Sequence, residues 1–137
     1  MKANKKQKII TEIDDIIKQN IFDPQFNICS LTATLHVSWS YLDEIVWMKY
    51  CMIPHCLVET IKLEIALDLI GSYESNIWQI CKIVGYGNPK TFRTAFKKRL
   101  NITHGECKKQ FMQSENSKAE VKVLKASLWN NAKKNYP

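Results

Sequence analysis

The chain has 137 residues, 45% of them hydrophobic, with only four Gly and four Pro; that is enough apolar material for a core and too few turn residues for a β-rich or low-complexity chain. Twenty Lys and Arg against 13 Asp and Glu give a net charge of +7, a balance that favours a polyanionic partner. No run approaches the roughly 18 apolar residues of a membrane span, and the start MKANKKQK leads into an amphipathic stretch instead of a signal-peptide core, so a cytoplasmic location is expected.

Residues 1–8 read as a basic arm carrying Lys2, Lys5, Lys6 and Lys8. Ile9, Ile13, Ile16 and Ile17 then form the stripe of a first helix that ends near Asn20, where Phe22-Asp23-Pro24 breaks it. Ile28, Leu31 and Leu35 mark a short second helix and His36-Val37 a turn. Ser38 is an N-cap for a third helix with Leu42, Ile45 and Val46 inward. Residues 9–52 therefore make a helix-turn-helix unit. Pro54 opens the longest helix, expected over residues 53–72, with Leu57, Ile61, Ile65 and Leu69 every four residues. At ~1.5 Å per residue such a linker spans about 30 Å, near the roughly 34 Å between successive major grooves on one face of a duplex.

A second unit follows over residues 73–112. Ile77, Ile80, Ile83 and Val84 at helical spacing are interrupted by Gly85-Tyr86-Gly87, and Phe92, Ala95, Phe96 and Leu100 resume it. Asn88 is a good N-cap, and Pro89 falls at the first helical position, where its missing N–H costs nothing. The other face carries Lys90, Arg93, Thr94 and Lys97, with Lys98 and Arg99 beside them. A short helix anchored by two Phe with a basic, hydrogen-bonding face suits a major groove; a solvated face on an ordinary helix has the same pattern. Thr103 can cap a further helix holding Cys107 and Phe111. Residues 113–137 read as a polar, basic tail, with a marginal helix near residues 119–129. The expected class is all-α, with about seven helices.

Charge is segregated. Residues 1–8 carry +4, residues 9–80 carry −7, residues 81–113 carry +7 and residues 114–137 carry +3. Attraction to a polyanion must come from the C-terminal half and the two ends. Five cysteines without a C-x-x-C read as reduced core residues, and a zinc site from Cys51, His55 and Cys56 is not favoured. His36, His55 and His104 have no paired nucleophile or carboxylate, and no Gly-rich phosphate loop exists, so neither catalysis nor a cofactor is expected.

Ile77, Ile80, Gly85-Tyr86, Phe92, Phe96-Lys97-Lys98 and Cys107-Lys108, with Tyr41-Leu42, Pro54, Ala66 and Leu69-Ile70 upstream, resemble the double helix-turn-helix of the AraC/XylS family of bacterial transcription regulators, from about Ile9 to Phe111. The resemblance implies a regulator that binds double-stranded DNA as a monomer, associated with the nucleoid. Lys90, Arg93 and Thr94 would lie at base edges and Lys97 and Lys98 at phosphate, and RNA polymerase is a candidate partner. The corresponding slots of the first reading helix fall on Trp39, Ser40, Asp43 and Glu44, acidic where Gln or Arg is common. That face is a solvated surface, a reader of cytosine N4 or a protein contact. Too few residues remain for a small-molecule effector domain, and no membrane partner is expected. Asn101 and His104 stand where Gly and Pro are usual, and Cys51 replaces another Gly; positive φ at Cys51 would cost ~1 kcal/mol. The alternative function is a degenerate family member whose acidic first half binds and tunes another regulator or RNA polymerase.

Overall fold

The computed structural model describes residues 2–21, 23, 25–72 and 76–135, with side chains described between residues 7 and 132. The described residues form eight helices and no strand: α1 (Lys2–Asn20), α2 (Ile28–Leu35), α3 (Trp39–Tyr50), α4 (Pro54–Gly71), α5 (Ile77–Ile83), α6 (Pro89–Leu100), α7 (His104–Gln113) and α8 (Ser117–Asn135). None of them is long and apolar enough to cross a membrane. The basic arm is not separate, because α1 starts at Lys2 and runs through it.

Side-chain caps set most of the helix starts. Asn27, Ser38, Asn76, Asn88 and Thr103 each accept a hydrogen bond from the backbone N–H three residues on, and Asn76 and Gln79 close a reciprocal capping box. Three ends use the left-handed region: His36 at φ 55°, Cys51 at φ 56° and Asn101 at φ 63°. Cys51 and Asn101 are the two positions where the resemblance called for a glycine-like backbone.

The buried side chains form two clusters, and α4 belongs to both. Cys56, Leu57, Val58 and Ile61 join α1, α2 and α3 around Ile13, Ile17, Leu31, Leu42, Ile45 and Val46. Leu63, Ala66, Leu67 and Ile70 join the later helices around Ile80, Phe92, Phe96, Cys107 and Phe111. At 18 residues, α4 is ~27 Å long at 1.5 Å per residue.

The expected polar tail is instead the 19-residue helix α8. It lies antiparallel to α4, with Val121 against Gly71, Lys125 paired with Asp68 at 2.7 Å, and the Trp129 indole N–H donating to Glu64 at 2.6 Å. Val121 and Leu128 enter the second cluster, while Ala132 enters the first and Trp129 packs against it. A helix this polar is marginal alone; the apolar stripe of α4 stabilises it.

Cysteine burial splits. Cys56, Cys81 and Cys107 are buried core residues, whereas Cys29 and Cys51 are exposed. Among the described residues no cluster of three potential ligands brings Cys51, His55 and Cys56 together.

Candidate nucleic-acid interface

Helix α6 is anchored by one face and open on the other. Pro89, Phe92, Phe96, Arg99 and Leu100 are buried, and Lys90, Thr91, Arg93, Thr94, Lys97 and Lys98 are exposed. At 100° per residue, Lys90, Thr94 and Lys97 occupy the middle of the open face, with Arg93 and Thr91 on its flanks. All five residues expected on the second reading helix therefore share one surface, and Thr91 joins them. Its hydroxyl donates to Asn88 at 3.2 Å. Thr94 donates to the Lys90 carbonyl at 3.0 Å, which leaves its oxygen as an acceptor.

Arg93 leans toward the edge of the face. Its charge is felt by Cys81 on α5, whose thiol is pushed up by burial and pulled back by Arg93. It is also felt by His104 on α7, whose ring is held below its ordinary value by burial first, then by Arg93 and Lys108. Beside the α6 N-terminus, a groove of about 440 Å³ is lined by Trp78, Cys81, Lys82, Tyr86, Gly87, Asn88 and Pro89. Trp78 is 69% exposed. An indole and an ammonium next to a helix N-terminus make a surface suited to a phosphate and its sugar. Trp78 and Lys82 were not expected there, since the apolar pattern assigned the preceding helix only to the core.

Arg99 is not part of the basic face. It is 2% exposed, donates to Glu59 Oε1 at 2.6 Å and to Thr60 Oγ1, and thereby fastens α6 to the middle of α4. Thr60 in turn donates to the Cys56 carbonyl at 2.8 Å. Tyr86 stands edge-on to Phe92 with ring centroids 5.6 Å apart, and Lys62 Nζ lies 5.1 Å from the Tyr86 ring centre. Burial lowers the Lys62 ammonium, partly offset by Glu59, and raises the Tyr86 hydroxyl. The turn before α6 is equally fixed: Gly85 has φ 78°, and a Cβ there would fall 2.1 Å from the Ile21 carbonyl oxygen. Only glycine fits, because both the backbone conformation and the close approach exclude a side chain.

Helix α3 repeats the framework of α6. Each has twelve residues, a side-chain N-cap (Ser38, Asn88) and a left-handed C-cap (Cys51, Asn101). The exposed chemistry is opposite. Ser40, Asp43, Glu44, Trp47 and Met48 are exposed where α6 places Lys90, Arg93, Thr94, Lys97 and Lys98, and Trp39 is exposed at the first position.

No protein-family model matches the chain. Over 109 residues, 78% of the chain, it is 25% identical to a protein named histidine kinase P4 from Formosa agariphila, and the match spans 8% of that protein. Among solved structures it is similar to the C-terminal domain of AraT, a response regulator from Geobacillus stearothermophilus, with a TM-score of 0.72 and 27% identity, covering 78% of this chain and 88% of that one. It is also similar to the C-terminal domain of the two-component response regulator YesN from Fusobacterium nucleatum, with a TM-score of 0.65 and 26% identity over 70% of this chain and 93% of that one.

Proposed function

Starting from a chain built as an AraC/XylS-type double helix-turn-helix, we propose that it binds double-stranded DNA sequence-specifically through the open face of α6 and regulates transcription. The observation that carries this reading is the composition of that face. Every exposed position of α6 is Lys, Arg or Thr, on a helix whose opposite side is held by Phe92, Phe96 and the Arg99–Glu59 pair. Arg93 has the fork to grip guanine O6 and N7. Lys90 and Thr94, with Thr91, reach neighbouring base edges, and Lys97, Lys98 and Lys82 meet phosphate. Trp39, Ser40, Asp43 and Glu44 are assigned away from the duplex, because carboxylates approaching a polyanion are repelled and α3 itself contributes no cation to that face.

The site of action on this reading is the nucleoid, with RNA polymerase as the protein that promoter binding would position. The rival interaction module drew on the acidic first half. Four of its ten carboxylates serve the fold itself: Asp14 holds Tyr50, Glu59 holds Arg99, Glu64 holds Trp129 and Asp68 holds Lys125.

Selection of bound duplexes from a random pool at near-physiological salt tests the reading. One enriched block is expected, read by α6. Two blocks about one helical turn apart would bring α3 into the groove as well. No enrichment would replace DNA binding with the interaction module. Arg93→Ala should cost ~1–3 kcal/mol and relax one base position; unchanged affinity and preference would remove Arg93 from the base-reading set.

A further inference from the structure

The exposed face of α3 has no role in DNA binding as proposed, and it is unusual for a solvated surface. Trp39 is 50% exposed, Trp47 43% and Met48 58%, and they flank Asp43 and Glu44. Lys49 is the helix's lone cation. It is turned toward α1, where it donates to the Ile10 carbonyl at 3.3 Å and lies 4.9 Å from the Tyr50 ring centre. Carboxylates beside exposed indoles suit a surface that supplies ammonium and guanidinium groups, through charge-assisted hydrogen bonds and cation–π contacts.

Such a surface exists on the same molecule. Lys90, Arg93, Lys97 and Lys98 sit on α6 at the positions that Ser40, Asp43, Trp47 and Met48 hold on α3. The two helices share length and caps, so their side chains are laid out at matching intervals. Trp78 on α5 adds exposed apolar area next to the α6 face. Resting on the assignment of α6 as the DNA reader, we infer that the α3 face of one copy docks on the α6 face of a second copy, so that self-association and DNA binding exclude each other. A two-fold arrangement lets both copies make this contact at once. The overall +7 of each chain opposes it only weakly, since charges more than about 8 Å apart are largely screened at physiological salt whereas closely paired charges are screened less.

The test is sedimentation equilibrium of the full chain without DNA, from about 1 to about 100 µM, at low and high salt. A dimer is expected whose dissociation constant rises about tenfold or more with salt. Asp43→Lys with Glu44→Lys should abolish it, and so should Lys97→Glu with Lys98→Glu. An equal mixture of these two variants should dimerise again, because each then offers the charge the other lacks. A duplex from the selection should dissociate the wild-type dimer. A wild-type chain that stays monomeric overturns the inference, as does a dimer indifferent to Asp43→Lys with Glu44→Lys, or variants that fail to complement. A changed base preference in that acidic-face variant would place α3 on DNA and also overturn it. Failure of the DNA-binding reading itself would show separately, as absence of duplex binding by the wild-type chain.

Discussion

Two residues show how single positions are strained by their places in the fold. Cys51 holds φ 56° at the end of α3, a conformation that costs a side chain of this kind about 1–2 kcal/mol. Its thiol is exposed, so no packing is lost on truncation. Cys51→Gly should therefore stabilise the protein by about 1 kcal/mol after the added flexibility of the unfolded chain is discounted, seen as a higher melting temperature; an unchanged or lower one would mean the left-handed backbone carries no strain. His104 has a different difficulty. Its Nδ1 is buried without a hydrogen-bond partner, and burial, Arg93 and Lys108 all hold the ring below its ordinary value of 6.5. The unfolded chain takes up a proton near 6.5 that the folded chain refuses until a lower pH, so stability falls as pH drops through 6.5 and stops falling once the folded ring is protonated. Because His104 occupies the first turn of α7, His104→Pro keeps the helix start and should flatten this acid-side loss in melting temperatures measured between pH 7.5 and 5. Both residues were visible in the sequence as departures from a family pattern. The pattern located them, but only the buried Nδ1 and the φ angle give the departures a physical cost.

At the level of elements, legibility followed the strength of local signals. Helix α6 was readable almost to the residue, since Asn88, Pro89 and two Phe at four-residue spacing mark its start and its inner face. Arg99 was misplaced on the outer face because nothing local separates an arginine reaching solvent from one reaching Glu59, forty residues earlier in the chain. Helix α8 was underestimated for the same reason: its apolar positions are sparse, and their partners lie on α4. The consequence can be measured. Leu128 is fully buried, so Leu128→Ala should cost about 2–5 kcal/mol, in a segment whose composition resembles a dispensable end. A change of a few tenths of a kcal/mol in denaturant unfolding would mean that α8 does not contribute to the core.

The whole molecule has two buried clusters but not two independent halves. Helix α4 supplies side chains to both, and α8 runs beside it and does the same. Unfolding is thus expected as one cooperative transition, with calorimetric and van't Hoff enthalpies in agreement; two resolved transitions would show that the clusters melt separately. Sequence periodicity revealed the two helix-turn-helix units and the helix between them, because those are repeats of local patterns. It did not reveal how they are joined, which depends on side chains distant in sequence: Glu59 with Arg99, Glu64 with Trp129 and Asp68 with Lys125. The approach of the Ile21 carbonyl to Gly85 belongs to the same set of long-range ties, and it limits how the molecule can be recombined. On the proposed reading, altered DNA preference would follow from exchanging exposed residues of α6, which leaves every buried contact in place. A chimaera that grafts α5 and α6 onto a foreign first unit must also keep the Ile21 carbonyl where it lies against Gly85, or the second turn loses the neighbour it is shaped against.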